Sequence, residues 1–389
     1  ARHLHFFAAM AEAASPELRG PSMVDWLDRL DAEIENLGAA LEWGLESESE
    51  TAIRMGAALL DYWVARQPSP DNEARLVAAV GAARRMVAGP PEATVDQRAL
   101  AARLLGKAAL KWSLSGRADA AAAWAGEALD LAMSVDRPDA LIPAMLSKAT
   151  TTIFTGARDG IHGRLDDVVR LATRTGDDFS IAFAASGIAI SMNAGDAAAI
   201  ERLLSVGVAA AQRSGNPHVI ALTSLSRGTL LARSGQYEEA RILLHEAVER
   251  FAEVGDERLA EAARSELAHL VRRSGALDEA LALYRVSIGG WVRSGNRGAV
   301  AHQLESIAFA LVARGAVDRA ARLLGAASAL RETVNSPMTA VEQDEHDEWL
   351  GRLRGAAGAA SLEDAMATGR RLSMTEAVAL AISSPEPGS

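Results

Sequence analysis

The sequence predicts an all-α fold, a right-handed α-solenoid of helix hairpins with a period of about 40 residues. Two observations lead to this prediction. Hydrophobic residues make up 49% of the 389-residue chain but aromatic residues only 4%, and alanine occurs throughout, as closely packed helices require. Glycines also return at a nearly fixed interval, which indicates an internal repeat.

The glycines form two series that run out of phase. The first contains Gly116, Gly156, Gly195, Gly235, Gly275 and Gly315, spaced by 39 or 40 residues. The second contains Gly176, Gly215, Gly255 and Gly295, with Asp136 and Asn335 at its outer ends. The left-handed residue that closes a helix is usually Gly, and occasionally Asn or Asp, so each series marks one class of helix end. Two classes of end per period predict two helices per repeat.

This spacing predicts a repeat region at 96–336 between two helical caps. Its six hairpins are expected at 97–136, 137–176, 177–215, 216–255, 256–295 and 296–335. The N-terminal cap, 1–95, is expected to contain helices near 2–15, 23–47, 50–66 and 72–88. The C-terminal cap, 337–382, is expected to contain helices near 340–356, 361–369 and 373–382, followed by a linker at 383–389. One hairpin cannot bury both of its faces, so stacking of neighbours would create the core.

Charge and composition exclude several classes of protein. The formal net charge of -11 opposes binding to phosphate backbones, so we expect no direct nucleic-acid contact. The absence of cysteine excludes a disulfide framework, a thiolate zinc site and a cysteine nucleophile, and it fits the cytoplasm. No apolar run approaches the ~20 residues that span a bilayer, and the N-terminus has no signal-peptide core. We therefore expect a cytoplasmic chain without membrane contact.

The sequence also lacks the motifs of common enzymes. Gly106-Lys107 has neither the earlier glycine nor the hydroxyl residue of a phosphate-binding loop. His245-Glu246 is followed by Glu249 where a zinc protease has its second histidine, and no Gly-x-Ser-x-Gly occurs. We therefore expect a non-catalytic chain without a cofactor.

Two places contain residue types that bind metal ions. His269 and His302 are expected on adjacent helices with Glu305 nearby, and the run Gln343–Glu348 is rich in carboxylates. Neither place has the short ligand spacing of a metal motif. We interpret the histidines and Glu305 as polar residues of a groove, and the run Gln343–Glu348 as a solvated helix face. We therefore predict no metal site.

Several segments resemble a known family. Ser234-Gly235-Gln236-Tyr237-Glu238-Glu239-Ala240 resembles the hairpin ends of tetratricopeptide repeats, whose usual period is about 34 residues. The longer hairpin is similar to the MalT-type sensor region of large LuxR-family regulators, which are signal-transduction ATPases. The segment Pro16-Glu17-Leu18-Arg19-Gly20-Pro21 with Trp26-Leu27-Asp28-Arg29-Leu30 resembles the stretch that follows their nucleotidase. Residues 321–327 with 369–378 resemble the stretch before their helix-turn-helix.

This resemblance implies a sensor domain whose inner, concave surface is lined by the first helix of each hairpin. The residues that fall on this surface are Leu222, Leu225, Thr229, Arg233, Ser265, His269, Arg272, Arg273, His302, Glu305 and Phe309. We hypothesise that arginines in this groove meet an anionic group of an effector, while Phe309 and the leucines meet its apolar body. The alternative is that these are ordinary solvated positions of a helix face.

The resemblance also bears on partners. It implies a small-molecule effector or a protein partner in the groove, and ATPase and helix-turn-helix domains elsewhere in the parent protein. ATP hydrolysis and promoter binding are implied for that parent and not for this chain. A pure protein-interaction scaffold without a small-molecule effector is the second hypothesis, and homo-oligomerisation is left open.

Overall fold

The computed structural model describes residues 1–66, 69–90, 92–115, 117–155, 161–191, 197–336, 338, 340–357 and 359–383. These residues form twenty α-helices and no strand. The all-α prediction is therefore confirmed.

The chain divides into two compact units. The N-terminal unit contains Ala1–Arg227 and Arg250–Asp256, and the C-terminal unit contains Gly228–Glu249 and Glu257–Ser389.

Five helices precede the repeats. They are α1 (Arg2–Glu17), α2 (Met23–Ala32), α3 (Ile34–Ser47), α4 (Ser49–Ala65) and α5 (Pro70–Ala88). The prediction of a single helix over 23–47 is wrong, because the backbone of Glu33 (φ −110°, ψ 9°) separates α2 from α3. Leu27 and Leu37, on either side of this break, are both fully buried, so each of the two helices directs its own apolar face into the core.

Six helix pairs follow, as the glycine spacing predicts. They are α6 (Val95–Leu114) and α7 (Ala118–Val135), α8 (Pro138–Phe154) and α9 (Ile161–Thr175), α10 (Asp178–Ser191) and α11 (Ala197–Ser214), α12 (Pro217–Arg233) and α13 (Tyr237–Val254), α14 (Glu257–Arg273) and α15 (Leu277–Arg293), and α16 (Arg297–Ala313) and α17 (Val317–Val334). This order confirms the two-helix repeat. The helices α18 (Ala340–Ala357), α19 (Ala359–Arg370) and α20 (Met374–Ile382) complete the chain, near the three expected positions.

Left-handed residues end the helices where the two series predicted them. Seven glycines have φ between 63° and 90°: Gly176, Gly215, Gly235, Gly255, Gly275, Gly295 and Gly315. Asp136 and Asn335, the outer members of the second series, have φ of 49°. The amide of Ala276, after Gly275, donates to the carbonyl of Val271, which satisfies a free carbonyl at the end of α14. Gly116, Gly156 and Gly195 lie outside the described residues.

Small residues allow close helix crossings at the C-terminal end. A Cβ atom at Gly325 in α17 would overlap with the backbone of Met366 in α19. A Cβ atom at Gly369 in α19 would overlap with the backbone of Arg322 in α17. The two helices therefore pack backbone against backbone, which anchors α19 on the last hairpin.

Within the part of the chain that the structure describes, no helix has both the length and the apolar character needed to cross a bilayer.

Candidate functional site

The N-terminal unit contains a cavity of about 500 Å³, within the size range of small-molecule sites. The end of α1 and the turn after it contribute to its wall, together with α4 and the first helices of four hairpins, α6, α8, α10 and α12. The lining residues are Leu18, Arg19, Met23, Leu60, Asp61, Val64, Arg103, Lys107, Leu110, Pro138, Asp139, Ile142, Pro143, Leu146, Thr175, Asp177, Phe179, Ser180, Phe183 and His218. The first-helix positions of successive hairpins thus converge on one cavity.

Apolar side chains form half of this lining. Leu60 and Val64 come from α4, Leu110 from α6 and Leu146 from α8. Phe179, one turn before Phe183 on α10, stacks with it at 6.3 Å between ring centroids. A wall of this kind favours the apolar body of a ligand, because burial removes apolar surface from water.

A buried lysine pairs with an aspartate in the cavity wall. The Lys107 Nζ donates to the Asp61 carboxylate over 2.6 Å and to the carbonyl of Ala57 over 3.2 Å. Asp61 also accepts a hydrogen bond from the Ser15 hydroxyl. Burial lowers the pKa of Lys107, and the charge of Asp61 opposes that shift. The pair therefore places one cation and one anion, both largely removed from water, beside the cavity.

The turn after α1 is held against the hairpins by Arg19. Its Nη2 lies 2.9 and 3.0 Å from the two carboxylate oxygens of Asp177, and it donates to the Ser180 hydroxyl over 2.8 Å. The guanidinium also lies 4.7 Å from the ring centroid of Phe179. These contacts fix the N-terminal wall of the cavity to the start of α10.

Asn216 holds the same turn from the start of α12. Its Nδ2 donates to the carbonyl of Leu18 over 3.0 Å, while its Oδ1 accepts the amide of Val219 over 3.0 Å as a helix cap. The side chain is fully buried. One residue therefore both starts a helix and closes the cavity wall.

His218 contributes to the lining and pairs with a buried aspartate. Its Nε2 lies 3.0 Å from the Asp256 carboxylate, and the two side chains are 2% and 4% exposed. Its Nδ1 is buried without a hydrogen-bond partner among the described residues. With the proton on Nε2, which the carboxylate favours, Nδ1 is an acceptor. Arg103 and Asp139 add a third ion pair, at 2.5 Å, on the more exposed side of the cavity.

The residues predicted from the sequence to line the groove lie elsewhere. Leu222 and Leu225 belong to the N-terminal unit and are buried, outside the cavity lining. In the C-terminal unit Thr229 is half-buried and Arg233 is exposed. Neither pair is part of the cavity, and their role in binding stays a prediction.

The remaining predicted residues lie in the C-terminal unit. Ser265, His269, Arg272, Glu305 and Phe309 are buried, His302 is half-buried and Arg273 is exposed. They meet in a polar network rather than in an open groove.

Three groups of contacts connect this network. The Tyr284 hydroxyl lies 2.9 Å from His269 Nδ1 and accepts from Arg272 Nε over 3.2 Å. The Ser265 hydroxyl donates to Gln303 and accepts from the Trp291 indole. Arg331 donates to both carboxylate oxygens of Glu305, over 2.9 and 2.8 Å. Each buried charge therefore has a partner, as burial requires.

Helix α18 covers the predicted surface. Glu345 pairs with Arg272, Glu342 lies 2.6 Å from His302 Nδ1, and Trp349 stacks on Phe309 at 5.8 Å. Helix α18 thus lies over α14 and α16 at these residues. Whether these residues bind an effector or partner stays a prediction.

The covering helix changes the titration of the groove. Burial alone would lower the pKa of His302, but the carboxylates of Glu342 and Glu305 raise it above its ordinary value. Burial would raise the pKa of Glu345, but Arg272 and Arg273 lower it below its ordinary value. Burial lowers the pKa of His269 well below its ordinary value, and the neighbouring cations lower it further.

Metal ligation was considered for His269, His302 and Glu305 and for the run Gln343–Glu348. Within the described ranges, no three His, Cys, Asp or Glu side chains are grouped closely enough to hold a metal ion.

Sequence reasoning missed the charged residues of the cavity. Lys107 follows Leu104-Leu105-Gly106 and precedes Ala108-Ala109, and Asp61 follows Leu59-Leu60. A single charge inside an apolar helical stretch needs a buried partner. That signal was present in the sequence for Lys107 and Asp61, but it does not identify which partner each one has.

Comparisons with known proteins give solved structures alone. No family model and no curated protein matches the chain. The chain is similar to a signal transduction ATPase with numerous domains and a tetratricopeptide repeat sensor from Pyrococcus horikoshii (13% identity, TM-score 0.48), over 89% of this chain and 54% of that one. It thus spans about half the length of that ATPase.

Two further solved structures are similar. One is a Rap protein complexed with competence and sporulation factor (12% identity, TM-score 0.42), over 77% of this chain and 96% of that one. The other is a circular tandem repeat protein (17% identity, TM-score 0.23), over 97% of this chain and 98% of that one.

Proposed function

We propose that this chain is the sensor domain of a larger cytoplasmic regulator, and that its effector is a small amphipathic molecule bound in the cavity of the N-terminal unit. The cavity carries the proposal, because it joins sufficient volume, apolar walls and a few polar groups at defined places. Packing of a hydrophobic core does not require three ion pairs around a cavity.

The lining defines the chemistry of the effector. Phe179, Phe183 and the aliphatic residues of α4, α6 and α8 suit an apolar body. Lys107 and Arg19 suit an anionic group, which would share or replace their aspartate partners.

Binding would act on the wall formed by the turn after α1. Leu18, Arg19 and Met23 belong to that turn or its edges, whereas the other lining residues belong to α4 and the hairpins. An effector that contacts both stabilises the arrangement in which the turn is docked, and this shifts the population toward it. The ATPase and helix-turn-helix domains that would respond belong to the parent protein, and this part of the proposal rests on the sequence resemblance.

A protein-interaction scaffold is the second candidate. The acidic helix α18 on the cationic inner face of α14 and α16 favours it, because this contact resembles the docking of a helix in a groove.

The amphipathic dye 8-anilinonaphthalene-1-sulfonate tests the proposal directly. Its aromatic rings match the apolar wall and its sulfonate matches the lysine and arginine. Titration into the full chain is expected to give saturable fluorescence with one site per chain. Val64→Trp, which places an indole into the cavity, is expected to weaken this binding at least tenfold.

Ile242→Ala is the matched control. Ile242 is an exposed apolar residue, 69% exposed on α13, where the dye would bind if it recognised surface apolar groups. The control is expected to bind the dye like the wild type. Equal binding by Val64→Trp and the wild type, with both folded by circular dichroism, would contradict the proposal.

A further inference from the structure

The C-terminal unit contains a charge-complementary contact that the cavity does not explain. Helix α18 carries five carboxylates, at Glu342, Asp344, Glu345, Asp347 and Glu348, against two arginines, at Arg352 and Arg354. The face of α14, α16 and α17 on which it lies presents Arg272, Arg273, His302 and Arg331. An acidic helix thus lies on a cationic surface.

Three residues of α18 make the principal contacts. Glu342 lies 2.6 Å from His302 and 3.7 Å from Arg331, and Glu345 pairs with Arg272 and lies 3.5 Å from Arg273. Trp349 stacks on Phe309 with an interplanar angle of 12°. Spacings of three and four residues place all three side chains on one face of a helix.

The Arg272 guanidinium joins the polar and aromatic parts of this contact. It lies 5.5 Å from the Phe309 centroid and 5.6 Å from the Trp349 centroid, besides its ion pair with Glu345. A cation close to both rings adds specificity for an aromatic residue at this position of the bound helix.

The packing of α18 is that of a docked segment rather than of a core helix. Among its described side chains, Leu353 alone is fully buried, while Glu342, Glu345 and Trp349 are half-buried. Helix α16 beneath it buries eleven residues. Apart from Leu353, little apolar surface of these described side chains is buried, so the contact of α18 depends largely on exchangeable ion pairs and one aromatic stack.

The groove keeps its internal partners without α18. Arg331 retains both hydrogen bonds to Glu305, and Arg272 retains the Tyr284 hydroxyl. Departure of α18 therefore leaves both arginines with a hydrogen-bond partner, which limits the usual cost of breaking such contacts. Helix α19 stays on α17 through Gly325 and Gly369, so the rest of the C-terminal end remains in place.

We propose that the inner face of α14 and α16 is a docking site for an acidic helix with the pattern Glu-x-x-Glu-x-x-x-Trp. Helix α18 is its occupant in cis, and a partner protein with a helix of the same chemistry displaces it. Because α18 belongs to the same chain as the site, its effective concentration there is high. The site is therefore closed until the partner is abundant or the contact between α18 and the site is weakened. This inference concerns the C-terminal unit alone and does not depend on the effector cavity.

A fluorescein-labelled peptide of residues 340–357 tests the site by fluorescence anisotropy with the full chain. In the wild type α18 competes, and weak binding is expected. In Glu345→Ala/Trp349→Ala, which releases α18, the peptide is expected to bind at least tenfold more tightly. Adding Arg272→Glu to the released variant is expected to abolish this gain, because the peptide carries the complementary Glu345.

Glu348→Gln provides the matched control. Glu348 is exposed and pairs with Arg352 within α18, so it makes no contact with the groove and its variant is expected to behave like the wild type. The milder Glu345→Gln serves as a second released variant if the double variant unfolds. Equal peptide affinity for the wild type and a folded released variant would overturn the proposal, as would tight binding that survives Arg272→Glu.

Discussion

Replacing Lys107 by Met removes the cation of the cavity wall while keeping most of its aliphatic stem. Removing one partner of a buried ion pair usually costs about 3–5 kcal/mol, because the other charge stays buried without compensation. Here Lys107 is 20% exposed and Asp61 14%, and Asp61 keeps the Ser15 hydroxyl as a donor. These features place the expected loss at or just below the lower end of that range, at about 2–3 kcal/mol of unfolding free energy.

A double variant separates the orphaned charge from lost packing. Lys107→Met/Asp61→Leu leaves no charge in the wall and is expected to lie within about 1 kcal/mol of the wild type. With Asp61→Leu alone as the second single variant, the double-mutant cycle gives the coupling energy between the two sites. Urea unfolding followed by circular dichroism, fitted with a separate transition for each unit, measures each value.

An exposed ion pair supplies the control. Arg84 and Glu127 lie 2.8 Å apart with side chains 53% and 37% exposed. Arg84→Met is expected to cost less than about 1 kcal/mol, because water screens the pair. A loss for Lys107→Met no larger than that for Arg84→Met, or a double variant as unstable as Lys107→Met alone, would contradict the role of the buried ion pair.

Three further predictions address the repeat and the groove. Gly369→Ala is expected to cost about 1–3 kcal/mol in urea unfolding, since the added methyl meets the backbone of α17, and an unchanged midpoint would contradict the crossing. Gly275→Ala forces alanine to a φ of 90° and is expected to lower the unfolding free energy by at least about 1 kcal/mol. Gly126→Ala, in a helix with open space around it, is expected to raise the unfolding free energy by up to about 1 kcal/mol. The opposite order of urea midpoints would refute the role of the left-handed ends. The pKa of His302 is raised, so its ion pair with α18 is present at acidic pH and is lost as the pH rises through the pKa of His302. The pKa of Glu345 is lowered, so its ion pair with Arg272 is present at higher pH and is lost as the pH falls through the pKa of Glu345. Affinity of the labelled peptide for the Glu345→Gln variant is therefore expected to peak in mildly acidic solution, and a pH-independent affinity would contradict it.

The repeat was predictable because its signal is local. A residue with positive φ strongly prefers glycine whatever the rest of the fold does, so Gly235, Gly275 and Gly315 mark helix ends by themselves. Asp136 and Asn335 were found by the same argument, as the residue types that tolerate this conformation next best. The break at Glu33 was not predictable, because the amphipathic pattern continues through it without a glycine or proline.

The sites depend on contacts that are distant in sequence, and this limited their prediction. Aligning helix ends correctly identified first-helix residues such as His302 and Phe309, but it does not reveal that α18 returns to cover them. The cavity likewise needs Arg19 beside Asp177, 158 residues away. Charge within an apolar stretch marks Lys107 as a buried residue in need of a partner, and the partner follows only from the packed structure.

Hydrogen exchange of the full chain with and without saturating 8-anilinonaphthalene-1-sulfonate tests the effector cavity most directly. Slower exchange is expected in peptides that cover 18–23, 103–110, 138–146 and 177–183, where the lining lies. Protection in these segments should be lost in Val64→Trp. Unchanged exchange there, or protection confined to the exposed face around Ile242, would contradict the assignment of the cavity as the ligand site.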